Sequence, residues 1–175
     1  MKSIYTIEDS LYTWASGQLP GVPILWYHQN MPRPKVPYVA FHLKSIRAIG
    51  VDARLSPSHA GVMEIVGNRD FTLECQAIGN LGDEYLEKLI MSLEKPTVQA
   101  ALRANDLAVV DRTPIMDIAE LVDNRYEERN VVDLFFRFAQ TDSDNPGVIE
   151  ILNDAKFDAI SPDLITITEN LITVP

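Results

Sequence analysis

The chain has 175 residues, 46% of them hydrophobic, which is typical of one folded domain with its own core. Its 25 Asp and Glu residues outnumber its 15 Lys and Arg residues, giving a formal net charge of −10 with no basic run, so DNA binding by the chain alone is disfavoured. No apolar run is long enough to cross a membrane, and residues 1–10 lack the apolar centre of a signal peptide, so we expect a soluble protein made in the cytoplasm.

The first predicted element is a helix close to the amino terminus. Thr6 and Asp9 resemble a capping pair, and Gly17 followed by Pro20 is a typical helix end. Between them, apolar residues recur at helical spacing and would line one buried face: Ile7, Leu11 and Trp14. A short apolar run over residues 24–27 then predicts a strand.

A proline-rich segment follows, because residues 29–37 read QNMPRPKVP. Pro32, Pro34 and Pro37 fix their own backbone angles, lack amide donors and push the preceding residues into extended geometry. The segment is therefore predicted to be a stiff connector.

An alternating strand is predicted after the prolines. From Tyr38 to about Ile49, apolar and polar residues alternate as they do in a half-buried strand. Residues 50–61 contain a proline, two serines and two glycines, which predicts a loop.

Two further strands are predicted over residues 62–67 and 71–78. Gly67 and Asn68 suit a hairpin turn between them. Cys75 lies among alternating apolar residues, so a buried and inert thiol is expected.

Two helices come next, separated by a proline. Asn80 or Gly82 is expected to cap the first helix, whose apolar residues share one side: Tyr85, Leu86, Leu89, Ile90 and Leu93. Pro96 stops this helix and can occupy the first position of the second, which is predicted to end near Asn105.

The remainder is predicted to be mainly extended. Residues 107–110 form a short strand, and residues 117–122 are either a single helical turn or an irregular crossing. The clearest strand pattern covers residues 130–140, followed by the turn formers TDSDNPG at 141–147. Residues 148–160 can return as the partner strand of a hairpin.

These elements predict a single α+β domain over residues 1–175. We expect a mainly antiparallel sheet of about five or six strands with two or three helices packed on one face. The hairpin would project from the sheet, and residues 161–175 would form an extended C-terminal segment or arm.

The sequence carries no convincing pattern for catalysis or cofactor binding. His28, His42 and His59 are far apart and lack metal-binding helical spacing. Glu127 and Glu128 are adjacent, so on a strand they would point to opposite faces. No glycine-rich phosphate loop is present. We therefore predict no catalytic residue, no metal site and no cofactor.

Two segments together resemble a known family. The opening W-x-x-Q-N-x-P-R/K-P-x-x-P-Y of phage neck or tail terminator proteins is similar to Trp26-Tyr-His-Gln-Asn-Met-Pro-Arg-Pro with the following Pro37-Tyr38-Val. That family's Y-E-x-R-x-x-x-D-hydrophobic strand is similar to Tyr126-Glu127-Glu128-Arg129-Asn-Val-Val-Asp133-Leu. The resemblance covers about residues 14–160 and leaves out the Thr-rich segment after Pro162.

The resemblance implies a structural virion protein rather than an enzyme, located at the neck and assembled in the host bacterial cytoplasm. It implies a homo-oligomeric ring, typically a hexamer, that caps the tail tube protein, stops tube polymerisation and contacts the head-completion or connector protein. The sheath protein is a further implied partner if the tail is contractile. Six copies at −10 each would carry about −60, so DNA would pass through the lumen without specific binding.

Candidate interface residues lie in the two family-like segments and at the predicted hairpin tip: Gln29, Asn30, Pro32, Arg33, Pro34, Pro37, Tyr38, Tyr126, Glu127, Arg129, Asp142 and Asp144. For Tyr126, Glu127 and Arg129 we expect an aromatic and salt-bridge contact between subunits, with an ordinary strand edge as the alternative. For the proline segment, the alternative to docking is a plain stiff loop.

Two other functions stay open at the level of sequence. One is an acidic metal-assisted hydrolase that uses His28, His42 or His59 with Asp52. The other is a small acidic protein-binding module that mimics DNA, although the acidic residues are dispersed among lysines and arginines.

Overall fold

A computed structural model describes residues 4–27, 32–122 and 125–147. Its elements, in chain order, are α1 (Ile4–Gln18), β1 (Ile24–Trp26), β2 (Tyr38–Arg54), β3 (Met63–Ile78), α2 (Gly82–Ser92), α3 (Pro96–Arg103), β4 (Leu107–Arg112), β5 (Met116–Asp117), β6 (Glu120–Val122), β7 (Arg125–Glu127) and β8 (Arg129–Asp144). No helix among these residues is long and apolar enough to span a bilayer.

The main sheet has six strands in the order β1-β2-β3-β8-β4, with β5 also pairing to β8. Among the described strand pairs of this sheet, β1 and β2 alone run parallel, and every other pair is antiparallel. Strands β6 and β7 form a separate two-stranded ribbon. The predicted α+β class, with a mainly antiparallel sheet and helices on one face, is confirmed.

The hydrophobic core lies between the three helices and one face of the sheet. Ile7, Leu11 and Trp14 are buried along α1, as the helical spacing predicts. The Trp14 ring stacks on Phe41 at 6.4 Å between centroids, and its indole Nε1 donates a hydrogen bond to Ser92 Oγ at 2.9 Å. This buried hydrogen bond connects α1 to the end of α2 and satisfies the one polar atom of the indole.

Both predicted helix caps are wrong. Thr6 lies inside α1, where its carbonyl accepts a hydrogen bond from Ser10 Oγ at 2.8 Å. The residue before α2 is Leu81, in a left-handed conformation with φ of 65°, and it makes no side-chain cap. Gly82 is instead the first residue of α2, and a Cβ there would lie 3.2 Å from the carbonyl oxygen of Ala77.

The predicted hairpin turn at Gly67 and Asn68 is also wrong, because β3 is continuous through both residues. The Asp52–Arg69 ion pair lies over Gly67, where a Cβ would be 2.1 Å from Asp52 Oδ1. Gly67 therefore makes room for a side-chain pair within a strand. Strand β2 likewise continues to Arg54, into the first part of the predicted loop.

Strand β8 is longer than predicted. Residues 141–144, predicted as a turn, pair with residues 63–66 of β3. The predicted partner strand at 148–160 and the arm at 161–175 lie outside the described residues. Two alternatives are predicted for residues 117–122, a single helical turn or an irregular crossing. The range contains the end of β5 and all of β6, so the helical turn is wrong.

The sheet extends into a three-stranded projection, which we call the blade. It consists of residues 45–54 of β2, 63–70 of β3 and 137–144 of β8. The β2 residues of the blade are exposed or half-buried on both faces, in contrast to the buried start of the same strand. The β2 strand of the blade is therefore not covered by the hydrophobic core.

Candidate interface site

Arg33 joins the proline segment to β7, forming what we call the proline junction. Its Nε donates a hydrogen bond to the Tyr38 hydroxyl at 2.9 Å, and its terminal nitrogen forms an ion pair with Glu127. The guanidinium carbon also lies 5.7 Å from the centroid of the Tyr38 ring, within the range of a cation–π contact. Arg33 is thus in direct contact with two other predicted interface residues, Tyr38 and Glu127.

Gly79 lets the proline segment lie close to the sheet. It has φ of 95°, and a Cβ there would be 2.9 Å from Val36 Cβ and 3.2 Å from Pro37 Cα. Its amide donates a hydrogen bond to the carbonyl of Glu128 at 2.8 Å. Both the conformation and the lack of a side chain are needed, so Gly79 sets the position of the segment relative to the residues between β7 and β8.

The junction stabilises the charged form of Arg33. The hydrogen bond to Glu127 raises the pKa of the Arg33 guanidinium, and burial opposes this only in part. The second carboxylate oxygen of Glu127 is buried and has no hydrogen-bond partner among the described residues. Removal of Arg33 would therefore leave a mostly buried carboxylate with its main partner lost.

Tyr126 is the most exposed aromatic side chain near this junction. It lies on β7, opposite Leu121 of β6, and 81% of its surface is exposed. An aromatic side chain held on a short ribbon next to a fixed ion pair resembles the anchor residues of protein interfaces. The junction thus presents a pre-arranged polar cluster with one protruding ring.

The sheet face opposite the helices carries ion pairs that belong to the chain itself. Lys44 Nζ lies 2.6 Å from Glu74 Oε2 and 3.0 Å from Asp133 Oδ1. Burial tends to raise the pKa of Glu74, but hydrogen bonds from Lys44 and Gln76 outweigh it and lower that pKa. The Lys44 side chain therefore cross-links three strands, β2, β3 and β8, through its two carboxylate partners.

A second ion pair on this face joins Arg137 to Asp70, with 2.8 Å between Arg137 Nε and Asp70 Oδ1. The hydrogen bond from Arg137 lowers the pKa of the Asp70 carboxyl. On the helix-side face, Arg69 holds both carboxylate oxygens of Asp52 at 2.6 and 2.7 Å. Asp52, the acid of the hydrolase alternative, is therefore bound in an ion pair.

The described residues contain no group of three or more His, Cys, Asp and Glu side chains that could hold a metal ion. Cys75 is fully buried, as expected, and burial raises the pKa of its thiol well above the usual value. A groove of about 530 Å³ between α1 and α3 is lined by hydroxyl, amide and apolar side chains together with Asp9. This lining offers no paired base and nucleophile among the described residues.

The predicted interface residues fall into two separate regions. The first region is at or near the proline junction and contains Pro32, Arg33, Pro34, Pro37, Tyr38, Tyr126, Glu127 and Arg129. The second region is the far end of β8, with Asp142 and Asp144. Thirteen steps of strand from Arg129 to Asp142 span about 43 Å, so the two regions cannot form one contact. Gln29 and Asn30 lie outside the described residues.

The sequence prediction missed Val36 and Gly79 at the junction. The signal available in the sequence was a glycine directly after the apolar end of a predicted strand, Ile78. The structure shows that Gly79 has a positive φ there. It also missed Arg54 and Val51 in the blade, because they fell in the predicted loop.

A comparison with protein-family models agrees with the sequence resemblance. A family model described as phage neck terminator protein matches residues 5–163 of this chain. Among solved structures, the chain is similar to the sheath/tube terminator of an extracellular contractile injection system, PVC, determined by cryo-EM in the extended state. The two share 11% identity with a TM-score of 0.42, covering 100% of this chain and 73% of the other. No curated protein matches the chain.

Proposed function

The chain belongs to the phage neck terminator family, and we propose that it is the tail terminator of its phage, a structural protein that forms a ring on the end of the tail tube. The ring would be a hexamer that stops tube polymerisation and joins the tail to the head-completion or connector protein. In a contractile tail it would also hold the sheath protein. The ring would assemble in the host bacterial cytoplasm and remain in the virion.

The family match over residues 5–163 carries this proposal, because it covers nearly the whole chain. The fixed ion pairs favour a structural role over catalysis. Lys44, Arg69 and Arg137 are each paired with a carboxylate on a neighbouring strand, and these pairs cross-link the sheet and stiffen it. A rigid subunit suits a ring that must hold its shape between two larger assemblies.

The proline junction is the surface that we assign to contact with the tail tube protein. Its prolines limit the freedom of the unbound segment, so docking would cost little conformational entropy. Tyr126 would supply the anchor, and the Arg33–Glu127 pair would fix the surface around it. Pro32, Pro34, Pro37 and Arg129 would contribute shape rather than most of the binding energy.

A terminator must bind the tube end and refuse another layer. This requires one face that fits the tube and a second face that does not repeat it, so that growth along the axis ends. The net charge of −10 per copy adds a condition, because a ring of such subunits would repel passing DNA. Passage without binding is what a conduit requires.

The proposal is tested with purified protein and purified tail tubes. We expect a ring by native mass spectrometry, at least when tube protein is present, and label at one end of each tube by electron microscopy. A strict monomer that neither binds nor caps tubes would overturn the proposal.

A variant pair locates the contact. Tyr126→Ala removes an exposed ring and should weaken capping roughly ten-fold or more, as expected for an interface anchor. Tyr5→Ala removes a comparably exposed ring from α1, where the residue is 72% exposed, and serves as the control. Equal capping by both variants would exclude Tyr126 from the tube-facing surface.

A further inference from the structure

The blade has two strand edges that no described strand covers. On one side, β1 pairs only with residues 39–41 of β2, so among the described strands none lies against the outer edge of β2 within the blade. On the other side, β4 pairs with residues 134–138 of β8 and β5 with residues 130–131. Within the described part of the chain, residues 139–144 of β8 therefore have a strand on one side only, which makes them the second edge.

The two edges carry opposite charges at matching positions. Within the described residues, Arg47, Arg69 and Arg137 of the blade lie close to carboxylates of the same chain, whereas Arg54 forms no such ion pair. Asp142 and Asp144 likewise have no ion-pair partner in the described part of the chain. The unmatched cation is on the β2 edge, and the unmatched carboxylates are on the β8 edge.

The register places these charges in one row. Arg54 of β2 pairs with Ile65 of β3, and Ile65 pairs with Asp142 of β8, so all three lie side by side across the blade. Two strand spacings separate the two charged residues, about 10 Å, which is too far for a direct ion pair. The adjacent row contains Ala53, Val66 and Thr141.

We propose that neighbouring copies dock blade to blade, with the β8 edge of one copy against the β2 edge of the next. Asp142 of one copy then lies beside Arg54 of the following copy. Strands β2 and β8 point in the same direction, because each is antiparallel to β3, so a head-to-tail arrangement joins them in parallel. This inference rests on the proposed ring and names the surfaces that would close it.

A second copy of the chain is the occupant that the charges favour. Each blade offers one cationic and one anionic edge, so identical copies are complementary in a head-to-tail contact, which can close into a ring. A two-fold contact between identical edges would instead bring like charges close together, Arg54 near Arg54 or Asp142 near Asp142. Among edge-to-edge contacts, charge complementarity therefore favours the head-to-tail one.

A β-bulge limits the contact to the end of the blade. Between Ile49 and Ala53 the β2 register shifts, Gly50 has φ of 68°, and Val51 is 97% exposed. Bulges on edge strands hinder uncontrolled strand addition. The pairing stretch is thus short, from Ala53 onward, and charge guides its register. A short contact is weak between two copies and gains strength when a ring is completed.

Cysteine cross-linking in the full-length protein tests the arrangement. Ala53→Cys and Thr141→Cys are exposed positions in one row, and two strand spacings within a chain exceed the reach of a disulfide. In assembled rings, the double variant should give a ladder of covalent dimers, trimers and larger species after mild oxidation. Each single variant alone should give no covalent dimer. The native Cys75 is buried and should remain unreacted.

The outcomes separate this inference from the proposed function. Rings of correct mass that cap tubes without any 53–141 cross-link would overturn the blade contact and leave the terminator role standing. Self-cross-linking of a single variant would also overturn it, in favour of a two-fold contact. Failure to form any ring, even with tube protein present, would contradict the proposed function.

Charge reversal gives an independent readout. Arg54→Glu should weaken ring assembly roughly ten-fold, since it replaces an attraction by a repulsion of about the size of an exposed ion pair. Adding Asp142→Arg to the same chain should restore most of the assembly. Lys88→Glu makes the same charge change on the exposed side of α2 and serves as the control. Equal effects of Arg54→Glu and Lys88→Glu, or no rescue, would refute the pairing.

Discussion

Replacement of Gly79 by alanine tests the geometry of the proline junction. The added Cβ would lie 2.9 Å from Val36 Cβ, closer than real side chains approach, and 3.2 Å from the backbone of Pro37. Because Pro37 is held by its ring and its neighbours, the segment must shift to make room. Overpacking of this kind typically costs about 1–3 kcal/mol in unfolding free energy.

Gly21→Ala is the matched control for this substitution. Gly21 has φ of 83°, similar to the 95° of Gly79, but a Cβ there would meet nothing within 4 Å. Both variants therefore suffer the left-handed backbone cost of about 1–2 kcal/mol. Both also gain equally from the reduced freedom of the unfolded chain. The difference between the two variants isolates the contact with the proline segment.

Urea unfolding followed by tryptophan fluorescence measures this difference. We expect Gly79→Ala to be less stable than Gly21→Ala by about 1–3 kcal/mol, the overpacking term alone. Gly79→Ala should also weaken tube capping, since the shift displaces Arg33 from Glu127. Equal stabilities of the two variants would refute the close packing of the proline segment on Gly79.

The remaining predictions concern the polar groups of the sheet and core. Lys44→Met should lower stability by about 1–2 kcal/mol at pH 7, as expected for loss of a partly exposed charge-assisted hydrogen bond. Because Lys44 lowers the folded-state pKa of Glu74 below its ordinary 4.5, the contribution exists above that pH and is lost as the pH falls through the folded-state pKa. The stability gap between wild type and variant, measured by urea unfolding from pH 7 to pH 3, should narrow with acidification, and a constant gap would contradict the assignment. Trp14→Phe should cost about 1–3 kcal/mol in thermal or chemical unfolding, because Ser92 Oγ loses its donor and a void remains. The half-buried Trp26, replaced in the same way, should cost less, and the reverse order would be inconsistent with the described core.

Periodicity predicts the parts of this fold in which one face is buried. The α1 residues Ile7, Leu11 and Trp14 are buried because the same helical spacing that marks them also turns them toward the sheet. The start of α3 at Pro96 follows from a different local rule, since proline suits the first turn of a helix. Both signals are local, so both could be read from the sequence.

The prediction was wrong where residues typical of turns lie within strands. Gly67 suits a turn, but here it makes space for the Asp52–Arg69 pair, and Asp52 lies 15 residues earlier in the chain. Residues 141–144 are turn formers, yet the hydrogen bonds of the neighbouring β3 hold them in a strand. Tertiary pairing overrides weak local preference, and the sequence pattern does not contain the pairing.

The candidate site shows the same limit more strongly. Family resemblance drew attention to Arg33 and Glu127 separately, but their 94-residue separation hid the ion pair between them. Arg54 and Asp142 became a matched pair only when the β2–β3–β8 register was known. The residue types could be predicted, whereas their arrangement depends on the order of strands in the sheet.

Phage particles made without this chain test the central claim most directly. Electron microscopy of such particles should show separate heads and tails, with tail tubes of irregular length. Supplying the chain in trans should restore uniform, joined particles. Joined capsids and tails of normal length in its absence would contradict the terminator role.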